Sequence, residues 1–133
     1  MEILDIRTSS RTDFKEITDE VASVVAKAGV NEGACLVYVS HTTAGITINE
    51  NADPDVRADF MTTLEQMVPW QGPYRHAEGN SAAHIKASFM GFSVMVPISD
   101  GKLIRGTWQG IYLCEFDGPR TRNVHIQIVP AIF

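Results

Sequence analysis

FSVMVPISDGKLIRGTWQGIYLCEFDGPRTRNVHIQIV, residues 92–129, is the stretch whose reading decides the fold. Phe92 to Ile98 alternates as a strand does, and Asp100-Gly101 favours the tight primed turns of hairpins. Lys102 to Trp108 is therefore expected to pair back on it. Gly110 to Phe116 reads as a further strand, Asp117-Gly118-Pro119 as a turn, and Asn123 to Val129 as another alternating strand. Strands linked in this way make antiparallel ladders.

Toward the N-terminus the pattern is mixed. Glu2 to Thr8 reads as a strand. Thr18 is placed to cap a helix in which Val21, Val24, Val25 and Ala28 share a face, and Gly29 ends it. Gly33 to Val39 is apolar enough for a buried strand, and Ala44 to Ile48 follows as a second. Asp53-Pro54 pairs an N-cap residue with proline at the first helical position. Val56, Phe60, Leu64 and Met67 then give one apolar face, and Pro69 stops that helix. Trp70 to Gly79 reads as a loop, and Ser81 to Phe89 as a short helix ending near Gly91. Few helices among many hairpin-linked strands predict an α+β fold with a largely antiparallel β-sandwich core and flanking helices. With no linker, repeat or low-complexity tract, residues 1–133 are expected to form one domain.

The bulk numbers narrow the function. A hydrophobic fraction of 44% beside 20% charged residues fits a globular chain that buries a core. No stretch reaches the ~20 apolar residues of a membrane span. Glu2 and Asp5 argue against a signal peptide at the start. A net charge of -5 with scattered basic residues offers no positive face for nucleic acid. Cys35 and Cys114 lie in apolar runs and are expected as free core thiols. A cytoplasmic location is expected.

His41, His76 and His84 stand among small polar residues outside the apolar faces. Three neutral imidazoles leave coordination positions for water or substrate, so together they suit an open divalent-metal site, zinc among the options. Each taken alone better fits a surface or hydrogen-bonded structural role, and it is the three together that suit a metal. Glu78, between His76 and His84, is a candidate proton carrier or ring-orienting partner. Asn80 and Ser81 are candidates either for capping the following helix or for binding phosphate at its N-terminus. Lys86 and Arg120 are candidate phosphate cations, and Arg122 a second arm of an arginine fork. Thr42 and Thr43 are candidate ligand contacts or turn formers. Trp108 and Tyr112 could stack on a ring, although a core position in a strand pair is the stronger expectation for Trp108. His125 reads as a strand-surface residue outside the site.

The segments HTTAGITINENADPDV (41–56), HAEGNSAAHIKAS (76–88) and GTWQGIYLCEFDGPRTR (106–122) closely resemble the signature stretches of the YjbQ family, and the similarity covers nearly the whole chain. The resemblance implies an α+β fold with a β-sandwich core, assembled as a homotrimer. It also implies a metal held by His41, His76 and His84, and a secondary thiamine-phosphate synthase activity. That reaction joins hydroxymethylpyrimidine diphosphate to a thiazole phosphate and releases pyrophosphate. Two alternatives use the same residues: a metal-assisted phosphoester hydrolase, and a non-catalytic ligand-binding or assembly protein.

Overall fold

The computed structural model describes residues 1–132. In chain order the elements are β1 (Glu2–Arg7), β2 (Asp13–Glu16), α1 (Thr18–Ala28), β3 (Gly33–Val39), β4 (Ala44–Glu50), α2 (Pro54–Met67), α3 (Ser81–Met90), β5 (Ser93–Ser99), β6 (Lys102–Leu103), β7 (Gln109–Glu115) and β8 (Thr121–Pro130). They make two sheets, one ordered β1-β8-β3-β5-β6 and one ordered β2-β7-β4. Every strand pairing is antiparallel. The expected α+β sandwich with flanking helices is therefore the observed one.

Alternation sorts the side chains into layers. Cys35, Val37 and Val39 of β3, Val96 and Ile98 of β5, and Val124 and Ile126 of β8 face the second sheet. They meet Ala44 and Ile46 of β4 and Ile111 and Leu113 of β7, and α1 adds Val21 and Val25. The opposite face of β7 carries Tyr112 and Cys114, which pack with Phe14, Leu64, Ala83, Ala87 and Phe116 beneath α2 and α3. The second sheet thus has core on both faces. The outer face of the five-stranded sheet does not: Ile3, Tyr38, Met95 and Val129 are exposed on it.

Local chemistry explains most element ends. Asp53 Oδ1 accepts from Asp55 N–H at 2.9 Å, capping α2 as the Asp-Pro pair predicts. Gly29 takes φ 67° beyond α1, and Asp100 and Gly101 both have positive φ in the turn between β5 and β6. Thr18 is not the cap it was expected to be. It lies inside α1, with Ile17 at the N-cap position, and its hydroxyl donates to Glu16 and accepts from Ile111 N–H.

Two further expectations are corrected, and one strand is unannounced. β2 is a strand that DFKE does not announce. The strand expected over Lys102 to Trp108 is only two residues long. Beyond it Ile104 N–H still donates to Pro97 O of β5 at 2.9 Å, but Gly106 N–H donates to Gln109 Oε1 at 2.8 Å and Gln109 N–H to Gly106 O at 3.1 Å, so from Gly106 the segment hydrogen-bonds to itself. Trp108 at the end of this loop is 60% exposed and not a core residue.

Candidate functional site

An open cleft lies where the β3–β4 connection meets α3. One wall is His41, Thr42 and Ala44; the other is His84, Ala87, Ser88 and Gly91, with Phe92 at the rim. The walls come close because α3 is built of small residues on the side that meets β4. A Cβ on Gly45 would stand 2.8 Å from both Gly91 O and Met90 Cβ, so only glycine permits this approach.

His84 is half-buried on α3 and His76 precedes that helix in an exposed loop. Their rings stand edge to face with centroids 5.5 Å apart. Glu78 Oε1 is 3.8 Å from His76 Nε2. His41 stands on the opposite wall, where its Nε2 accepts from Asn123 N–H at 2.9 Å. A neutral imidazole has one acceptor nitrogen. This bond therefore assigns the proton of His41 to Nδ1. Burial, and then the nearby Arg122 guanidinium, push the His41 pKa below its ordinary value, which favours that neutral form.

The histidines meet a metal's requirements in part. Two imidazoles on one tetrahedral zinc, each bound at ~2 Å, bring their ring centroids to roughly 5 Å. The His76–His84 separation matches that spacing. His41 does not match as it stands, because its lone pair is already used by Asn123. Among the described residues no three histidine, cysteine or carboxylate side chains gather closely enough to hold an ion.

The other site candidates divide. Thr42 is exposed on the cleft, whereas Thr43 is buried and its Oγ1 accepts from Arg122 Nη2 at 2.8 Å. Asn80 is at the N-cap position of α3 without a side-chain cap bond. Its Nδ2 donates to Asp117 Oδ2 at 2.8 Å, while its Oδ1 is buried without a partner. Ser81 begins the helix. Arg120, half exposed, leans on Asp117 at 3.3 Å. Lys86 does not reach the cleft: it is 2% exposed, and its Nζ lies 2.6 Å from Glu65 Oε2. Nor is there an arginine fork, because the Arg122 guanidinium is buried against Glu115 and Thr43.

The sequence marks Glu115 in the 106–122 stretch and Asp117 in a turn, but assigns neither a role in this region. Glu115 is wholly buried, and Arg122 is 2% exposed. Burial opposes ionisation of Glu115. Donors from Arg122, Asp117 N–H and Thr8 outweigh it and hold the carboxyl below its ordinary range. A signal for this pair exists in the sequence: Glu115 continues the inward series Ile111, Leu113, and Arg122 precedes the inward series Val124, Ile126.

Fold and cleft together define a two-sheet α+β protein with a histidine-lined cleft against its third helix. A model of the family described as UPF0047 protein YjbQ-like matches residues 2–131, and the chain belongs to that family. It is 50% identical to the UPF0047 protein YugU of Bacillus subtilis, with 97% of this chain and 98% of that protein covered. A YjbQ/UPF0047-family crystal structure from Clostridium acetobutylicum superposes with a TM-score of 0.95 at 51% identity, covering 97% of this chain and all of that one. A YbjQ-like protein from Sulfolobus solfataricus gives a TM-score of 0.94 at 34% identity, covering 98% and 96% of the two chains. These matches define family and fold, not a reaction.

Proposed function

We propose that the cleft is the active site of a cytoplasmic, metal-dependent enzyme acting on a small phosphorylated heterocycle, with thiamine-phosphate synthesis as a secondary activity. The observation that carries this reading is the His76–His84 pair, with rings spaced for one ion, of which His84 faces His41 across an open cleft. His76 and His84 would hold a divalent cation such as zinc, with His41 available to it if that ring gave up the Asn123 amide, and such an ion would supply neutralising charge for a diphosphate leaving group.

The chain's own groups have distinct tasks in this scheme. Asp117 O and Oδ2 hold Nε and Nη2 of Arg120, so Arg120 takes a phosphate with its Nη1 end, and the backbone of Asn80 and Ser81 adds the N-terminal end of α3. Thr42 offers a hydroxyl from the opposite wall. His41 donates Nδ1–H to a ligand oxygen, and Glu78, beside His76, carries a proton to or from the site. Lys86 is left out of the phosphate set because Glu65 already neutralises it.

The same reading makes the protein a homotrimer without a nucleic-acid partner. Exposed Ile3, Tyr38, Met95 and Val129 on one uncovered sheet face support self-association. Two of its cations, Lys86 and Arg122, are buried, which leaves still less positive surface for a polynucleotide.

The test has two parts. Metal content is measured for protein purified without chelator and for His41→Ala, His76→Ala and His84→Ala. Loaded protein is then offered hydroxymethylpyrimidine diphosphate with the thiazole phosphate, and separately a panel of phosphoesters. Coupling that each alanine variant abolishes supports the synthase. Faster phosphoester hydrolysis makes the hydrolase primary. A wild type that binds metal and turns over neither set, while the variants lose their trimeric size, points to the non-catalytic assembly protein.

A further inference from the structure

We propose that the buried Glu115–Arg122 pair is a positioning element for the histidine cleft, one that fixes both of its walls from the turn between β7 and β8. The proposal rests on the reading of that cleft as the functional site.

The pair bridges the two sheets, since Glu115 ends β7 in one and Arg122 lies in β8 of the other. Arg122 Nε donates to Glu115 Oε1 at 2.8 Å, and Arg122 Nη2 donates to Glu115 Oε2. From this point one arm runs to each wall. On the first, Arg122 Nη2 donates to Thr43 Oγ1 at 2.8 Å and to Thr43 O at 3.2 Å, gripping the residue between Thr42 and Ala44. The next residue of β8, Asn123, gives its N–H to His41. On the second, Glu115 Oε2 accepts from Asp117 N–H at 3.0 Å, and Asp117 Oδ2 accepts from Asn80 Nδ2. Asn80 starts α3, the helix that carries His84 and Ala87.

Stability alone accounts poorly for such a pair. Taking two charges out of water is costly, and well-packed apolar residues often replace a buried ion pair without loss. What apolar residues cannot do is hold Thr43 and Asp117 by directed bonds at the same time. Groups around a site act by fixing the geometry of the groups that touch the ligand.

The test compares wild type with Glu115→Gln, Thr43→Val and Asp117→Ala, reading backbone amide NMR shifts and the dissociation constant for Co²⁺. Glu115→Gln turns an acceptor edge into a donor facing Arg122 and Asp117 N–H, so it strikes both arms. The amides of Thr42 and Ala44 and those of His84 and Ala87 should all move. Thr43→Val should move only the first set and Asp117→Ala only the second. Co²⁺ affinity should fall about tenfold in Glu115→Gln. Val25→Ala, in the core among α1 contacts, supplies a destabilised control that keeps wild-type affinity.

Shifts in Glu115→Gln confined to one wall, an unchanged Co²⁺ affinity, or an equal loss in Val25→Ala would each overturn the proposal. If Glu115→Gln does not fold, the two single-arm variants decide, and a still wall in either one overturns it. If wild type binds no Co²⁺, the metal reading fails, and the amide comparison alone judges the positioning role.

Discussion

Lys86 Nζ donates to Glu65 Oε2 at 2.6 Å and so joins α3 to α2 across their shared apolar core. The lysine is buried while the carboxylate is half exposed. Removing the lysine charge leaves a carboxylate that water can solvate, but it also strips buried stem atoms from under α2. Lys86→Ala is expected to lower stability by about 1–3 kcal/mol in urea unfolding, and Lys86→Met by less.

The same contact fixes a pH dependence. The Lys86 hydrogen bond holds the Glu65 pKa below its ordinary value in the folded protein. A depressed carboxylate contributes stability that is fully present above the unfolded pKa of 4.5 and is lost as pH falls through the folded value. Wild type should therefore lose more stability than Lys86→Met between neutral pH and the region below 4.5. Parallel acid limbs for the two proteins would contradict this account.

Gly45 is predicted to be intolerant of a single methyl group. The atoms a Cβ would meet include the backbone carbonyls of Gly91, at 2.8 Å, and Ala87, at 3.1 Å. Neither can swing aside without shifting α3. Gly45→Ala should cost about 1–3 kcal/mol and should widen the cleft, read as shifted His84 and Ala87 amide resonances. A neutral Gly45→Ala would mean that α3 moves freely on β4.

The two cysteines are expected to be inert in the native protein. Both are fully buried, and burial pushes the Cys35 thiol up to about 11 and raises Cys114 as well. Only the thiolate reacts readily. A colorimetric thiol reagent at pH 8 should label neither residue until urea unfolds the chain, and rapid native labelling would expose an opening of the core.

Trp108 and Trp70 should be separable by fluorescence quenching. Trp108 is 60% exposed, whereas Trp70 is partly buried with the Arg11 guanidinium 4.2 Å from its ring centroid. Acrylamide should quench wild type strongly and Trp108→Phe weakly. Trp108→Ala should change stability by no more than about 0.5 kcal/mol, as for an exposed residue without buried partners.

Much of this architecture was legible because period-two alternation and helix-end chemistry are local. Gly33 to Val39, the Asp53-Pro54 helix start and the Asp100-Gly101 turn all needed only neighbours along the chain. β2 was not legible: its four residues are held by pairing Asp13 to Glu16 with Tyr112 to Glu115, a partner far away in sequence. Trp108 was misplaced because hydrophobicity favours burial, while the hydrogen bonds of its loop present it to solvent. The polar residues were harder still. Lys86 and Arg122 looked like free cations, and only the fold reveals that Glu65 and Glu115 already neutralise them. His41 was found as a polar-loop histidine, yet its tautomer depends on the Asn123 amide, which no spacing along the chain could indicate.

The sheet order also sets a timetable for synthesis. Among the described residues β1 has β8 as its sole strand neighbour, in a register that brings Glu2 opposite Ile126. β1 is translated well before β8 and must wait for it, and contacts between such distant segments are slow to form. β8 supplies the Asn123 amide that holds His41, and Arg122 that grips Thr43. A nascent chain can build α2 and α3 while its cleft still lacks a fixed wall, so any activity should switch on only after the ribosome has released β8.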